Sequence, residues 1–368
     1  MKVKTFIKNN TTSFARVSFI VLAVCTLIKV VAVFFEPFAD FFNRHVASVT
    51  RAMLSYLTAF IPFSLAETLV ISAIPFAIIY IICFTKRMSE SDDYAKQVFN
   101  LLGLIACLLS LFLINFSIAY DVTPLEKKLD LDSTAITADN LYDASEYVMT
   151  QLEWLDVEIV RDENGAAVMP YSFSELTRKI NIAYDNLYGE YRFLSPLYAG
   201  AKQIALSIPM TYTHIAGVYT FFTGEANINT NYPPYVVAFT TAHEMAHQRG
   251  IAPEDEANFV AFLACTTSDD PFLRYCGYAQ ILEYIGNSLY ATDSSRFEDL
   301  LYFYPEGVLA EYVAYSNMFK EYSHSKAADV SSAVNDVYLK SQGQTDGTNS
   351  YDLVTELATA YILKNIEQ

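Results

Sequence analysis

Charge is almost absent from three stretches in the first third of the chain. Residues 17–35, VSFIVLAVCTLIKVVAVFF, are charged only at Lys29. A second stretch runs from Leu65 to Phe84, with Glu67 near its start and Pro75 inside it, and a third, from Val98 to Tyr120, has no charge at all. About 20 apolar residues let a helix cross roughly 30 Å of hydrocarbon. Three such stretches rarely occur together in a soluble fold. The pattern therefore predicts three transmembrane helices at about 15–36, 65–84 and 98–120. The first, preceded by the basic leader MKVKTFIK, has something of a signal peptide. It is long, lacks a small-x-small cleavage site and is followed by two more spans, so it reads as an uncleaved anchor. Segment 46–63, VASVTRAMLSYLTAFIPF, is also apolar. It fits an amphipathic or re-entrant helix at the outer surface about as well as a hydrophobic loop packed on the bundle. Lys29 and Glu67 are ionisable groups in or near spans; Lys29 can snorkel and Glu67 sits near a span end, so neither carries weight as a functional residue.

Beyond Asp121 the apolar positions recur at helical spacing. Amphipathic stretches fall near 138–157, 172–190, 234–249, 254–267, 271–291, 306–323, 327–340 and 350–365. One β-leaning interruption, IAGVYTFFTGEANIN at 215–229, has aromatic and β-branched residues on both sides of Thr223-Gly224. The loop-like low-complexity stretch is SQGQTDGTNS at 341–350. The expected architecture is thus a membrane region, 1–120, followed by a mostly helical α+β domain, 121–368, with a small β-sheet.

Charge sharpens this division. Residues 1–120 hold ten Lys and Arg against six Asp and Glu, while the remainder holds 14 basic against 35 acidic residues. Such an acidic second part excludes nucleic acid as a partner, because phosphate binding needs clustered Lys and Arg. Lys2, Lys4, Lys8 and Arg16 precede the first span, and Lys86, Arg87 and Lys96 separate the second from the third; between the first and second stand only Arg44 and Arg51. The bias puts the N-terminus in the cytoplasm and residues 121–368 outside. Cys25, Cys83 and Cys107 fall in apolar runs, where a thiol is a small hydrophobe. Cys265 and Cys276 in the acidic part are either a reduced buried pair or a disulfide. No CxxC or Cys/His cluster points to a thiolate zinc site.

The candidate chemistry lies in TTAHEMAHQRGIAPEDEANF at 240–259. Pro233 and Pro234 suit the first turn of a helix and Gly250 its end, and Val236, Val237 and Phe239 make that helix apolar enough to be buried. Four residues apart, His243 and His247 project from one face and can reach one zinc ion. Glu244 stands beside them, placed to take a proton from a water activated by the metal. A catalytic zinc needs a third protein ligand. Glu254, Asp255 and Glu256 follow on the next helix. Glu256 shares a face with Phe259, Val260 and Leu263 and points inward, whereas Glu254 shares a side with Asn258 near the solvent edge of the first turn. Glu256 is therefore the expected ligand and Asp255 the second choice. Gly224, Glu225, Ala226 and Asn227 in the β segment are placed to bind a substrate backbone by strand addition. Asn258, Arg274 and Tyr351, with Arg249, His214 and Tyr275, are candidates for supporting the ligands or stabilising an oxyanion.

HEMAH followed by EDEANFVAFLA resembles the gluzincin class of zinc metallopeptidases, and the Glu-Ala-Asn after the histidine helix looks like the third-ligand segment of the ImmA/IrrE-type peptidases. More of the chain resembles an uncharacterised bacterial membrane family, a domain of unknown function. IPFSLAE at 61–67, FTGEANINT at 222–230, HEMAHQRGIAPEDEANFVAFLAC at 243–265, DPFLRYCGY at 270–278 and VNDVYLKSQGQTDGTNSY at 334–351 carry that likeness. The resemblance implies a zincin-like domain with one Zn2+ per chain on His243, His247 and Glu256, and Glu244 as general base. The expected function is that of a membrane-anchored zinc metalloendopeptidase in the bacterial plasma membrane. Its partners would be the lipid bilayer and a peptide or protein substrate at the outer membrane surface. The alternative is a catalytically inactive zinc-binding sensor or interaction protein of the cell envelope.

Overall fold

Helices carry nearly all the apolar periodicity, with the caps the sequence provides. The computed structural model describes residues 10–88, 94–133, 136–344, 347 and 353–366. Its helices are α1 (Ser13–Phe34), α2 (Glu36–Phe42), α3 (Ser48–Ala59), α4 (Leu65–Met88), α5 (Tyr94–Asn115), α6 (Leu125–Leu129), α7 (Ala138–Asp156) and α8 (Phe173–Glu190). There follow α9 (Ser207–Thr211), α10 (Pro234–Gln248), α11 (Glu254–Thr266), α12 (Pro271–Thr292), α13 (Ser294–Leu301), α14 (Glu306–Tyr322), α15 (Lys326–Ser341) and α16 (Val354–Ile366). Three short strands, β1 (Lys202–Gln203), β2 (Gly217–Thr220) and β3 (Glu225–Ile228), form a mixed sheet in the order β1-β3-β2. The protein is thus mainly helical with one small sheet.

The chain forms two units: residues 1–122 with 220–225, and residues 123–219 with 226–368. The six residues at the tip of the β2–β3 hairpin therefore group with the first unit rather than with the acidic part around them.

In the first unit three helical segments, Ser13–Phe34, Leu65–Cys83 and Ala95–Tyr120, are long and apolar enough to cross a membrane. α1 packs along α5. The approach is close because Gly103 has no side chain: a Cβ there would lie 2.9 Å from the Ala15 Cα. Lys29 does not snorkel. Its Nζ donates to the Ser117 carbonyl at 2.9 Å and to Asp121 Oδ2 at 2.6 Å, so the charge inside the apolar stretch is paired.

The second unit has its core where α10, α11 and α12 pack on one another, with α7, α8 and α16 around them. α12 runs beside both α7 and α11, and its apolar residues are buried over most of its length. Thr137 caps α7 in a reciprocal capping box with Asn140, and Ser172 and Asp270 cap α8 and α12 by accepting from backbone N–H groups. β1 pairs parallel to β3, with Lys202 opposite Asn227 and Gln203 opposite Ile228. All five cysteines are free thiols, and burial pushes the Cys265 thiol up to about 12.

Candidate metal centre

α10 starts as its prolines predict, with Pro233 as N-cap and Pro234 in the first turn. It is buried nearly all round. Its end is a Schellman turn: the Gly250 N–H donates to the His247 carbonyl at 3.0 Å and the Ile251 N–H to the Ala246 carbonyl at 3.2 Å. Gly250 sits at φ +92°, a left-handed conformation that favours glycine. The turn leads through Pro253 into α11 and sets the first residues of that helix against the last turn of α10.

The structure brings Glu254, and not the expected Glu256, to the two histidines. Among the described residues, His243, His247 and Glu254 form a group whose ligand atoms all lie within 4.8 Å of one another. Glu254 Oε2 is 3.2 Å from His243 Nε2 and 3.5 Å from His247 Nε2. Glu256 is buried, as its apolar neighbours suggested, but it faces another part of the core. Its Oε1 accepts from the Leu125 N–H at 2.7 Å, at the first residue of α6. Asp255 is not in the group either. Glu254 was passed over because a first-turn residue usually meets solvent; the tight Gly250–Pro253 turn covers that edge with the histidine helix. The signal that could have found it is Asn258, one helical turn further on the same face.

The tautomers of both histidines follow from their other nitrogens. His247 Nδ1 lies 2.7 Å from the Ile251 carbonyl, which can only accept, so Nδ1 carries the proton. His243 Nδ1 lies 2.8 Å from Asn258 Oδ1 and donates to it in the same way. Both Nε2 atoms are thereby turned towards the Glu254 carboxylate, where a metal ion would take the place of their protons. Asn258 is thus a support for His243; its own Nδ2 has no partner among the described residues.

Glu244 lies across from these groups against β2. The Tyr219 N–H of that strand donates to its carboxylate. The strand can come this close because residue 217 is glycine: a Cβ there would be 2.6 Å from Glu244 Cγ and Oε1 and 2.7 Å from Thr240 Cγ2. Glu244 Oε2 is buried and without a hydrogen-bond partner among the described residues.

His243, Glu244, His247 and Glu254 are all between 4% and 7% exposed. Ionisable groups at that depth need compensating charge. Burial alone would pull His247 down, but the Glu254 carboxylate outweighs it and lifts His247 to about 9. Burial would raise Glu254, yet the two histidines hold it well below the usual carboxylate range. Burial pushes Glu244 up, partly opposed by the histidines. Two imidazole nitrogens and one carboxylate make a donor set that fits a borderline cation such as zinc, and Glu244 is not a member of it.

The remaining candidates fall elsewhere. β3 is the middle strand and is buried throughout, so Ala226 and Asn227 offer no free edge to a substrate; Asn227 Nδ2 donates to the Val218 carbonyl instead. Gly224 and Glu225 belong to the hairpin tip in the first unit, where Gly224, at φ +71°, lies against Ser55 and the Glu225 carboxylate accepts from the Leu65 and Ala66 N–H groups. The strand beside Glu244 is β2. Arg249 is buried on the Met245 and Leu197 carbonyls and Asn181, over the Tyr184 ring. Tyr275 donates to Glu311, and His214 Nε2 meets the Tyr322 carbonyl. Arg274 stands in the first turn of α12 with no hydrogen bond to the metal group among the described residues. Tyr351 lies outside the described residues.

A family model described as "Protein of unknown function (DUF3810)" matches residues 42–359. The chain belongs to the DUF3810 family. The match includes parts of both units, among them α10 and α11 with the metal group. No curated protein and no solved structure gave a match.

Proposed function

We propose that this DUF3810 protein is a membrane-anchored, zinc-dependent hydrolase acting on peptide bonds. His243 Nε2, His247 Nε2 and a Glu254 carboxylate oxygen would hold the metal. The observation that carries the reading is the convergence of those three atoms within 4.8 Å beside a buried Glu244 oxygen that no protein group occupies. A purely structural site would have no use for that fourth group.

When bound, zinc supplies Lewis acidity, lowering the pKa of a water and polarising a carbonyl. The rest of the work falls to the protein. Asn258 and the Ile251 carbonyl hold the imidazoles with Nε2 forward. The Tyr219 N–H fixes one side of the Glu244 carboxylate. Its free Oε2 takes a proton from the attacking water, and returns it to the leaving amine. Burial favours this role, since it raises Glu244 above the usual carboxylate value and so makes it a better proton acceptor. β2, close against Glu244, is the strand best placed to align an extended peptide.

The distribution of Lys and Arg around the apolar helices supports a cytoplasmic N-terminus with residues 123–219 and 226–368 outside. The test is cleavage of a peptide library by the purified full-length chain loaded with zinc. Cleavage that is lost in Glu244→Gln while zinc is retained supports the reading. A zinc-loaded wild type that cleaves nothing would favour the sensor alternative.

A further inference from the structure

α3 is built inside out. Its outward positions, Val49, Met53, Tyr56, Leu57 and, just past its end, Phe60, recur at helical spacing and are 45% to 87% exposed. Its inward positions, Arg51, Ser55 and Thr58, are polar and at most 6% exposed. A helix lying against water shows the reverse order. The only charge on α3 is Arg51, which is turned in and donates to the Asn115 and Asn43 carbonyls.

The inward polar face has an occupant within the first unit, the tip of the β2–β3 hairpin, residues 220–225. Ser55 Oγ donates to the Gly224 carbonyl at 2.6 Å, and Thr58 Oγ1, whose proton is shared with the Leu54 and Ser55 carbonyls, lies 3.3 Å from the Thr223 carbonyl. Asn115 Nδ2, from α5, donates to the Phe221 carbonyl at 3.1 Å. The Glu225 carboxylate accepts from the first two N–H groups of α4, Leu65 at 3.1 Å and Ala66 at 2.8 Å, and so caps a membrane-crossing helix. Gly224 is required for this fit, because a Cβ there would lie 2.7 Å from the Ser55 nitrogen. Irregular backbone is tolerated at membrane depth only where protein satisfies it, and here each of these carbonyls is met by a side chain of the bundle.

We propose that α3 is immersed in the hydrocarbon of the bilayer, its outward face covered by lipid acyl chains, and that its inward face seals the 220–225 tip as an intramembrane element. Lipid is the occupant because α3 joins two helices apolar enough to cross a membrane, α1, ending at Phe34, and α4, starting at Leu65, and packs on a third, α5. The exposed face also carries no charge that a water-soluble partner could pair.

The test uses the full chain in lipid bilayer discs. Trp154, the sole tryptophan, is exposed on α7, and Trp154→Phe removes its signal. Into that background go Leu57→Trp and, as a lipid-facing reference on α4, Ile74→Trp. The Leu57→Trp emission is expected to be quenched by acyl-chain-brominated lipid to the same extent as the Ile74→Trp reference. It should also be several-fold less sensitive to iodide than Trp154 in the wild type. Quenching by iodide as strong as at Trp154, with no effect of brominated lipid, would overturn the proposal. So would shielding from both quenchers, which would mean that protein covers α3. Met53→Trp, on the same face, repeats the measurement should Leu57→Trp fail to fold.

Discussion

Removing the Asn258 carbonyl should weaken the metal centre without touching a ligand. In Asn258→Ala, the His243 Nδ1–H loses its acceptor at 2.8 Å, in a place where Asn258 itself is only 4% exposed and water has little room to substitute. A buried donor left without a partner costs about 1–3 kcal/mol. The imidazole can recover part of that by moving its proton to Nε2, but that tautomer has no Nε2 lone pair to offer a metal. Loss of such a support typically lowers metal affinity about 10–100-fold, or roughly 1.4–2.7 kcal/mol. Competition with a chromophoric chelator, on the full-length chain in detergent, would read this directly. Asn258→Asp keeps an acceptor on His243 and should bind zinc at least as tightly as the wild type. Wild-type affinity in Asn258→Ala would refute the assignment of His243 to the metal through Nε2.

Two further outcomes follow from neighbouring groups. Gly217→Ala puts a methyl 2.6 Å from the Glu244 carboxylate; peptide cleavage should fall at least about tenfold, the effect of about 1.4 kcal/mol, with zinc content unchanged, and full activity would show that β2 does not position Glu244. Glu311 is buried beside Tyr275 and Arg161, and burial lifts it to about 7, although the Ala167 N–H, Arg161 and Tyr275 oppose the rise. The folded state therefore binds this proton more tightly than the unfolded chain, so its contribution is complete below about pH 4.5 and is lost as pH rises to about 7, a change of roughly 3 kcal/mol. Thermal unfolding from pH 5 to pH 8 should show Glu311→Gln gaining on the wild type as pH rises; a constant difference would contradict the shift.

The spans, the two histidines with Glu244, and most helices of the second unit could be read from periodicity and caps. The expected helix near 138–157 is α7, that near 271–291 is α12, and Pro233, Pro234 and Gly250 bound α10 closely. Short elements held by tertiary contacts escaped: α6 and α9 have five residues each and β1 two. The surroundings of Glu256 and Glu254 are hidden for a related reason. Helical-face geometry established that Glu256 is buried, but not which neighbour it meets, and Leu125 is 131 residues away in sequence. Glu254 depends on the five residues between Gln248 and Glu254 folding one helix end onto the next. Likewise GEAN read as a free strand, whereas order β1-β3-β2 puts Ala226 and Asn227 in the sheet's middle and sends Glu225 to cap a span.

Metal content of the purified full-length chain tests the central claim most directly, alongside Glu254→Ala, Glu256→Ala and Glu244→Gln. The account predicts about one zinc per chain, lost in Glu254→Ala and retained in Glu244→Gln and in folded Glu256→Ala. Zinc retained in Glu254→Ala and lost in folded Glu256→Ala would contradict it, as would a folded wild type that binds no metal.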